Sequence, residues 1–345
     1  MNDQRARTSR VPFRSVSRRP RLLAGLLAGG LAGLVSLSGC AGARGEGSPA
    51  VSGGAEAPAA SATPPERPSG DPSAPATPER QETPEQPDAQ AEPPAPDAKI
   101  PKDPAALAEA LTRTTALLRD AVDDWRRTGD PAKGQAPEPV VLLALYEQRL
   151  YRHLARDPEV ASRTYGRLPK DQAVRARDNV TAVRDLLSLA HPVSGPVKFR
   201  IEPPEPADVL LDGFRRAGRR FGIDWQVLAA VMLVETKFGR VRSPSYVGAK
   251  GPMQFMPGTW KAYGMGGDID DTTDALLAAA NYLHASGAPG DYRRALYAYN
   301  HSQAYVDAVL LHARQMKRDI RNYYAYYNWQ VYVITTKGER RLSGP

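Results

Sequence analysis

A proline-rich stretch divides this 345-residue chain and limits how much of it can fold. Between residues 41 and 100 there are 13 prolines and no aromatic side chain, and most other residues are Ala, Glu, Ser, Thr and Gly. A segment of this composition cannot bury enough apolar surface to offset the entropy lost on folding. We therefore predict a disordered linker over residues 41–100, with the folded part of the chain after it.

The 40 residues before the linker have the features of an export signal. Seven arginines precede residue 22, and a charge-free stretch then runs to Ser38. This stretch has 17 residues, six of them Gly or Ser, and is short for a transmembrane helix of about 20 apolar residues. It ends in Leu-Ser-Gly followed by Cys40, which resembles the lipobox of bacterial lipoproteins. We predict a lipoprotein signal peptide over residues 1–40, lipidation of Cys40, and an extracytoplasmic protein anchored to the outer face of the cell membrane. Export by the Sec or the twin-arginine route stays open.

The charge and cysteine content exclude several classes of function. The first 21 residues hold seven arginines and one acid, and so supply six of the eight net positive charges. What remains gives no reason to expect a nucleic-acid partner. Cys40 is the only cysteine, so the folded part has no disulfide, no thiol nucleophile and no cysteine metal ligand. The histidines lack metal-ligand spacing, and we expect neither a metal nor a cofactor.

Helical periodicity dominates the chain after the linker. Apolar residues recur at intervals of three and four and predict three helices, over residues 103–129, 140–155 and 171–190. No dense group of polar side chains accompanies them, so residues 101–200 are predicted to form a helical accessory domain. Five prolines between residues 192 and 206 mark the boundary to a second domain over residues 201–345.

One glutamate lies on an otherwise apolar helix after this boundary. Glu235 ends a run of ten uncharged residues and shares a helix face with three apolar side chains, Trp225, Leu228 and Met232. Loss of hydration there raises the pKa of a carboxyl group, as a proton donor near neutral pH requires. The alternative is a buried salt bridge to Arg240 or Arg242.

Two later segments carry polar and aromatic groups suited to a sugar ligand. Gly251 lies in a glycine-rich loop whose backbone can approach a ligand closely. Gln254 offers a donor and an acceptor, and Met253 adds pliable apolar surface. Tyr299 and Asn300 end a short helix, where side chains can point into a cleft.

These segments together resemble the soluble lytic transglycosylase family, whose fold is related to goose-type lysozyme. The resemblance rests on three motifs in order: Glu235-Thr236, the run Gly-Pro-Met-Gln-Phe-Met-Pro from Gly251 to Pro257, and Ala298-Tyr299-Asn300. It covers about residues 208–316. Glu-Thr and Gly-Pro-Met-Gln replace the commoner Glu-Ser and Gly-Leu-Met-Gln, and resemble the membrane-bound B-type branch and its secreted relatives. The implied fold is mainly α: a lysozyme-like helical catalytic domain with a helical accessory region. A short β segment is predicted near residues 330–336.

The resemblance also implies an activity on peptidoglycan glycan strands. Glu235 would act as the sole acid and base in cleaving the bond between N-acetylmuramic acid and N-acetylglucosamine, leaving a 1,6-anhydro end. Gln254, Met253, Tyr299 and Asn300 would bind the substrate, and we expect a monomer. Two alternatives stay open: hydrolysis by a lysozyme-like muramidase, and a non-catalytic cell-wall-binding lipoprotein. Cleavage within strands and cleavage from strand ends are not distinguished.

Four aspartates precede a later helix, at positions 268, 270, 271 and 274. An EF-hand alignment from Asp268 places Thr273 where glycine is needed and Ala279 where glutamate is needed, which disfavours calcium. Capping of the next helix is favoured, by Asp271 or Thr272. Use of one aspartate as a second catalytic carboxylate belongs to the hydrolytic alternative. An aromatic run over residues 323–329 is predicted to pack the C-terminal tail rather than to extend a sugar groove.

Overall fold

The computed structural model describes residues 92–194 and 199–342. The predicted signal peptide, Cys40 and most of the predicted linker lie outside these residues. The described residues form eleven helices and one β-hairpin, which confirms a mainly α fold with a short C-terminal β segment. None of these helices combines the length and apolar character that crossing a membrane requires.

The elements follow one another along the chain as helices first and the hairpin last. Their bounds are α1 (Pro104–Thr128), α2 (Glu138–Arg156), α3 (Pro158–Tyr165), α4 (Lys170–Ser188), α5 (Ala207–Phe221), α6 (Trp225–Thr236), α7 (Pro257–Tyr263), α8 (Thr272–Ala285), α9 (Tyr292–Tyr299), α10 (Gln303–Arg318), α11 (Arg321–Tyr327), β1 (Tyr332–Thr335) and β2 (Gly338–Arg341). The three helices predicted over residues 101–200 correspond to α1, α2 and α4.

An Asp-Pro pair begins two of the accessory helices. Asp103 Oδ1 accepts the backbone N–H groups of Ala105 and Ala106 at 2.8 and 3.1 Å and so caps α1. Asp157 caps α3 in the same way. The helix α3 is not among the predicted helices, because its eight residues are too few to show a helical stripe, although the capping signal is present.

The helix α6 runs through the centre of the fold. Ten of its twelve residues are buried, and α5, α8, α10 and α11 pack around it. Asp224 is the N-cap residue in position, but its side chain makes no capping hydrogen bond. Its Oδ2 instead accepts a hydrogen bond from Lys317 Nζ at 3.2 Å.

The accessory helices and the later helices share one continuous apolar core. The helix α10 packs on both α4 and α6, and α1 contacts α2, α3 and α11. Apolar residues from Leu107 in α1 to Trp329 after α11 belong to the same cluster. The region predicted as an accessory domain thus lies directly against the helices that follow it.

The aromatic run and the hairpin close the C-terminal side of this core. Five aromatic side chains are at most 3% exposed, which confirms the packing prediction: Tyr323, Tyr324, Tyr326, Tyr327 and Trp329. The strands β1 and β2 pair antiparallel, with Tyr332 opposite Arg341 and Thr335 opposite Gly338. Val193, which follows α4, forms a parallel bridge to Thr335. The hairpin is in this way joined to the accessory helices.

Candidate active site

Glu235 lies in the last turn of α6 with its side chain only 2% exposed. Its Oε1 accepts a hydrogen bond from the Tyr305 hydroxyl at 2.8 Å, whereas its buried Oε2 has no hydrogen-bond partner. The two arginines that were possible partners bind elsewhere. Arg242 pairs with Glu202, and Arg240 donates to a backbone carbonyl. Glu235 is therefore a buried carboxyl group that forms no ion pair among the described residues.

Burial determines the protonation state of this carboxyl group. Loss of hydration raises the pKa of Glu235 to about 8, while the Tyr305 hydroxyl and the Lys237 ammonium lower it by smaller amounts. A group with this pKa is mainly protonated at pH 7. The raised pKa expected from the apolar helix face is confirmed, and the group can serve as a proton donor.

The chain leaves α6 through a tight turn that is fixed to the loop around residue 252. Lys237, Phe238 and Gly239 have φ angles of 53°, 60° and 81°, a region that side-chain-bearing residues rarely adopt. The Thr236 hydroxyl donates to the Pro252 carbonyl at 2.7 Å and accepts the Gly239 N–H at 2.9 Å. One threonine thus holds both the turn and the neighbouring loop against the end of α6.

The loop that Thr236 holds depends on a glycine. Gly251 has a φ of 72°, and a Cβ at this position would overlap the carbonyl oxygen of Ile269. Backbone hydrogen bonds of 2.9 Å in both directions between Lys250 and Phe255 close the loop. Within it Gln254 has a φ of 50° and donates from Nε2 to the Gly251 carbonyl at 2.9 Å. The loop is a compact turn that presents the amide of Gln254.

The end of α9 reaches the same loop through Tyr299. Its hydroxyl donates to the Met253 carbonyl at 2.7 Å, and its ring lies 5.7 Å from that of Phe255, centroid to centroid. Asn300, which ends α9, is 5% exposed. The three motifs singled out in the sequence therefore meet at the carboxyl end of α6.

Each motif contributes one buried polar atom that lacks a hydrogen-bond partner. The three atoms are Glu235 Oε2, Gln254 Oε1 and Asn300 Nδ2. Unsatisfied buried polar atoms are rare in folded proteins, because each costs about 1–3 kcal/mol. Gln254 Oε1 is an acceptor, Asn300 Nδ2 is a donor, and Glu235 Oε2 is a donor when protonated and an acceptor when ionised. Such a mixture suits a ligand rich in hydroxyl and amide groups. These atoms are the candidate ligand contacts.

Met253, predicted to bind substrate, has a fully buried side chain that faces the core. Its contribution to the site in this structure is its backbone carbonyl, which accepts the Tyr299 hydroxyl. A contact between the Met253 side chain and a ligand stays a prediction.

Sequence reasoning does not single out Tyr305, the residue bonded to Glu235. It lies in the first turn of α10 and is fully buried. The local signal is limited to Ser302, whose Oγ accepts the Tyr305 N–H at 3.3 Å as an N-cap. Nothing near Tyr305 in the sequence indicates that its hydroxyl reaches a carboxyl group 70 residues earlier.

Residues 212–322 match the family described as Transglycosylase SLT domain. This match, over about a third of the chain, indicates a lytic transglycosylase, an enzyme that cleaves peptidoglycan glycan strands. The matched residues contain all three motifs, and the match favours an enzyme over a non-catalytic wall-binding protein. No curated protein and no solved structure matches the chain. The relation to the B-type branch stays a prediction.

Two cavities border the residues described above. The smaller, of about 20 Å³, is lined by the loop and by the end of α9, including Gln254 and Tyr299. The larger, of about 90 Å³, is lined by Glu235 and Lys237 on one side and by α2, α4 and α10 with the C-terminal hairpin on the others. Part of the second cavity is thus built from residues outside the matched range.

The four aspartates before α8 hydrogen-bond to their own backbone. Asp271 accepts the Asp274 N–H at 2.9 Å, as the predicted cap. Asp274 in turn accepts the Asp268 N–H at 2.9 Å, and Asp268 accepts the Asp270 N–H at 3.0 Å. Among the described residues no group of three or more acidic, histidine or cysteine side chains is arranged to hold a metal. None of these aspartates is among the groups that shift the pKa of Glu235.

Proposed function

We propose that Glu235 cleaves the β-1,4 bond between N-acetylmuramic acid and N-acetylglucosamine without using water. The protonated carboxyl donates its proton to the glycosidic oxygen, and the bond from that oxygen to muramoyl C1 breaks. The resulting carboxylate accepts the proton of the muramoyl 6-hydroxyl as O6 bonds to C1. The products are a 1,6-anhydromuramoyl end and an N-acetylglucosamine end with a free 4-hydroxyl, and Glu235 is protonated again.

A buried carboxyl group, with no second acid among the described residues that line the two cavities, carries this proposal. Hydrolytic glycosidases use two carboxyl groups about 5–9.5 Å apart. The groups that interact electrostatically with Glu235 are Tyr305, Lys237 and Tyr299, and no other Asp or Glu lines either cavity. An internal hydroxyl nucleophile removes the need for a second carboxylate and gains from its proximity to C1.

The unsatisfied atoms support roles for the neighbouring residues. Gln254 Oε1 and Asn300 Nδ2 offer an acceptor and a donor that match the N–H and the carbonyl of a substrate N-acetyl group. Tyr299 holds the loop that carries Gln254, and Met253 supplies the carbonyl it binds. Tyr305 acts as a positioning residue, because its hydroxyl fixes one oxygen of Glu235 and leaves the other free.

Digestion of purified peptidoglycan followed by mass spectrometry tests the mechanism. The wild-type protein should release fragments with 1,6-anhydro ends, and Glu235→Gln should release almost none. Asp270→Asn is the matched control, because it neutralises an exposed acid of the aspartate cluster and should leave the anhydro products unchanged. Fragments with reducing ends would show hydrolysis instead, and release of products by Glu235→Gln at the wild-type rate would overturn the role of this residue.

We also propose that the enzyme is a lipoprotein monomer, held at the outer face of the cell membrane through Cys40. The basic leader and the lipobox support this location, and the charge after the leader supports no nucleic-acid partner. Labelling with a radioactive fatty acid in a bacterial host should mark the wild type and not Cys40→Ala. Light scattering of the protein without its leader should give the mass of one chain. Label retained on Cys40→Ala, or a mass of two chains, would contradict these assignments.

A further inference from the structure

The larger cavity beside Glu235 is mainly aliphatic on the side of the accessory helices. Val183 and Leu187 of α4 and Val331 and Ile334 of the C-terminal segment line it. The opposite side is formed by the end of α6, with Glu235 and Lys237. An apolar space of about 90 Å³ therefore opens beside the catalytic acid.

Lys237 brings an ammonium group to this cavity, and no carboxylate of the described residues forms an ion pair with it. Its Nζ donates to the Leu233 carbonyl at 2.8 Å, which uses one of its three N–H bonds. Burial and the charges of Arg152 and Arg240 lower the pKa of Lys237 to about 8, against an opposing effect of Glu235, so the group is still mainly cationic at pH 7. An ammonium in apolar surroundings is unfavourable unless an anion joins it.

Further nitrogen atoms without partners belong to the same cavity lining. Arg152 pairs with Glu339 through Nη2, but its buried Nε has no partner. The ring nitrogens Trp329 Nε1 and His312 Nδ1 are buried and also unpaired. Burial lowers the pKa of His312 to about 3, so its ring is neutral. Arg152 Nε and Trp329 Nε1 thus add unpaired N–H donors to the Lys237 ammonium in the cavity lining, which favours a ligand that carries acceptors and negative charge.

We propose that this cavity binds a carboxylate borne on a short aliphatic group, namely the free 3-O-lactyl carboxylate of a muramoyl residue that has lost its peptide. The inference rests on the proposed function, since the cavity adjoins Glu235 and the muramoyl residue is the one that Glu235 cleaves. The carboxylate meets Lys237, and the lactyl methyl meets the aliphatic wall. A volume of about 90 Å³ has room for several water-sized groups, since one water needs about 10–15 Å³, and it can therefore hold a lactyl group.

The cavity gives the accessory helices a role in substrate selection. Arg152 belongs to α2, Val183 and Leu187 to α4, and Trp329 follows α11, so all four lie outside residues 212–322. The matched domain supplies the acid, and the segments before and after it supply most of the wall that selects the muramoyl substituent.

Two forms of one substrate test this site. Peptide-free glycan chains with free lactyl carboxylates are compared with the same chains after conversion of the carboxylates to methylamides. For the wild type, kcat/KM should be about tenfold higher on the carboxylate chains, mainly through KM, as the loss of one charge-assisted hydrogen bond predicts. Lys237→Met keeps the aliphatic length of the side chain and should bring the ratio close to one. Lys261→Met, at an exposed position in α7, should keep the tenfold ratio.

The ratio between substrates cancels any effect of Lys237 on the pKa of Glu235, because both substrates meet the same acid. A wild-type ratio near one overturns the proposal without any variant, and so does a Lys237→Met variant that folds and keeps the tenfold preference. Equal rates of 1,6-anhydro product formation from both chains would leave the proposed mechanism standing and remove only this site. Reducing-end products would count against the mechanism itself.

Discussion

Two glutamates of this protein are buried to nearly the same degree in different surroundings. Glu147 of α2 is 1% exposed, and Glu235 of α6 is 2% exposed. Glu147 Oε1 pairs with Arg175 and also accepts the hydroxyls of Thr115 and Tyr151 at 3.3 and 3.4 Å. Glu235 accepts one hydrogen bond, from the Tyr305 hydroxyl, and forms no ion pair among the described residues. The two sites therefore differ in the partner that accompanies burial: Glu147 has a bonded guanidinium, whereas Glu235 has a hydroxyl and no ion pair among the described residues.

The largest expected effect separates the two glutamates by activity. Glu235→Gln should lower kcat about 10³-fold, since it removes the proton that the leaving oxygen requires. Glu147→Gln should keep activity within about threefold for equal amounts of folded protein, because it removes no group that touches substrate. Rates of release of soluble fragments from purified peptidoglycan provide the measurement. Equal losses of activity in the two variants would show that the two glutamates do not differ in their role in catalysis.

The free energy of unfolding should fall in Glu147→Gln rather than in Glu235→Gln, the reverse of the order expected for activity. Glu147→Gln should lower the free energy of unfolding by about 3 kcal/mol, because the buried Arg175 guanidinium keeps no charged partner. Glu235→Gln leaves no charge unpaired and should be at least as stable as the wild type. Urea unfolding at pH 6 measures both. A loss below 1 kcal/mol in Glu147→Gln would show that the ion pair stabilises the accessory helices little.

The pH dependence of stability sharpens the comparison further. The pKa of Glu235 is about 8 in the folded state, above its ordinary value of 4.5, so the folded protein retains a proton that the unfolded chain releases. The stabilisation of the fold by this proton is complete below pH 4.5 and is lost as pH rises through 8. From pH 6 to pH 7.5 the wild type should lose about 2 kcal/mol relative to Glu235→Gln. Parallel stability curves for the two proteins would contradict a buried, protonated Glu235.

The smallest effect concerns the hydroxyl bonded to Glu235. Tyr305→Phe removes a hydrogen bond that lowers the pKa of Glu235, so the basic limb of the pH–rate profile should move to higher pH. The change should also lower kcat about tenfold, because the carboxylate formed during reaction loses a donor. Tyr323→Phe is the control, since that buried hydroxyl binds the Ala207 carbonyl instead. A shift to lower pH in Tyr305→Phe would be inconsistent with the observed contact.

Local patterns in the sequence predict the acid and the motifs, whereas the contacts between distant segments are visible only in the fold. The apolar stripe around Glu235 indicates burial because it depends on neighbours within one helix. The roles of Tyr305 and Met253 depend on how α10 and α9 pack near the end of α6. The sequence around these two residues does not indicate that packing. The cavity beside Lys237 is hidden for the same reason, because its walls are separated by more than a hundred residues.

The loop that carries Gln254 is held by its backbone oxygens. Thr236 binds the carbonyl of Pro252, and Tyr299 binds the carbonyl of Met253. Every amino acid offers such an oxygen, so these two anchors place no chemical demand on the residue that supplies it. Proline at position 252 accordingly provides the same anchor that any other residue there would provide. The side chain at position 252 takes no part in the hydrogen bond that fixes the loop beside the acid.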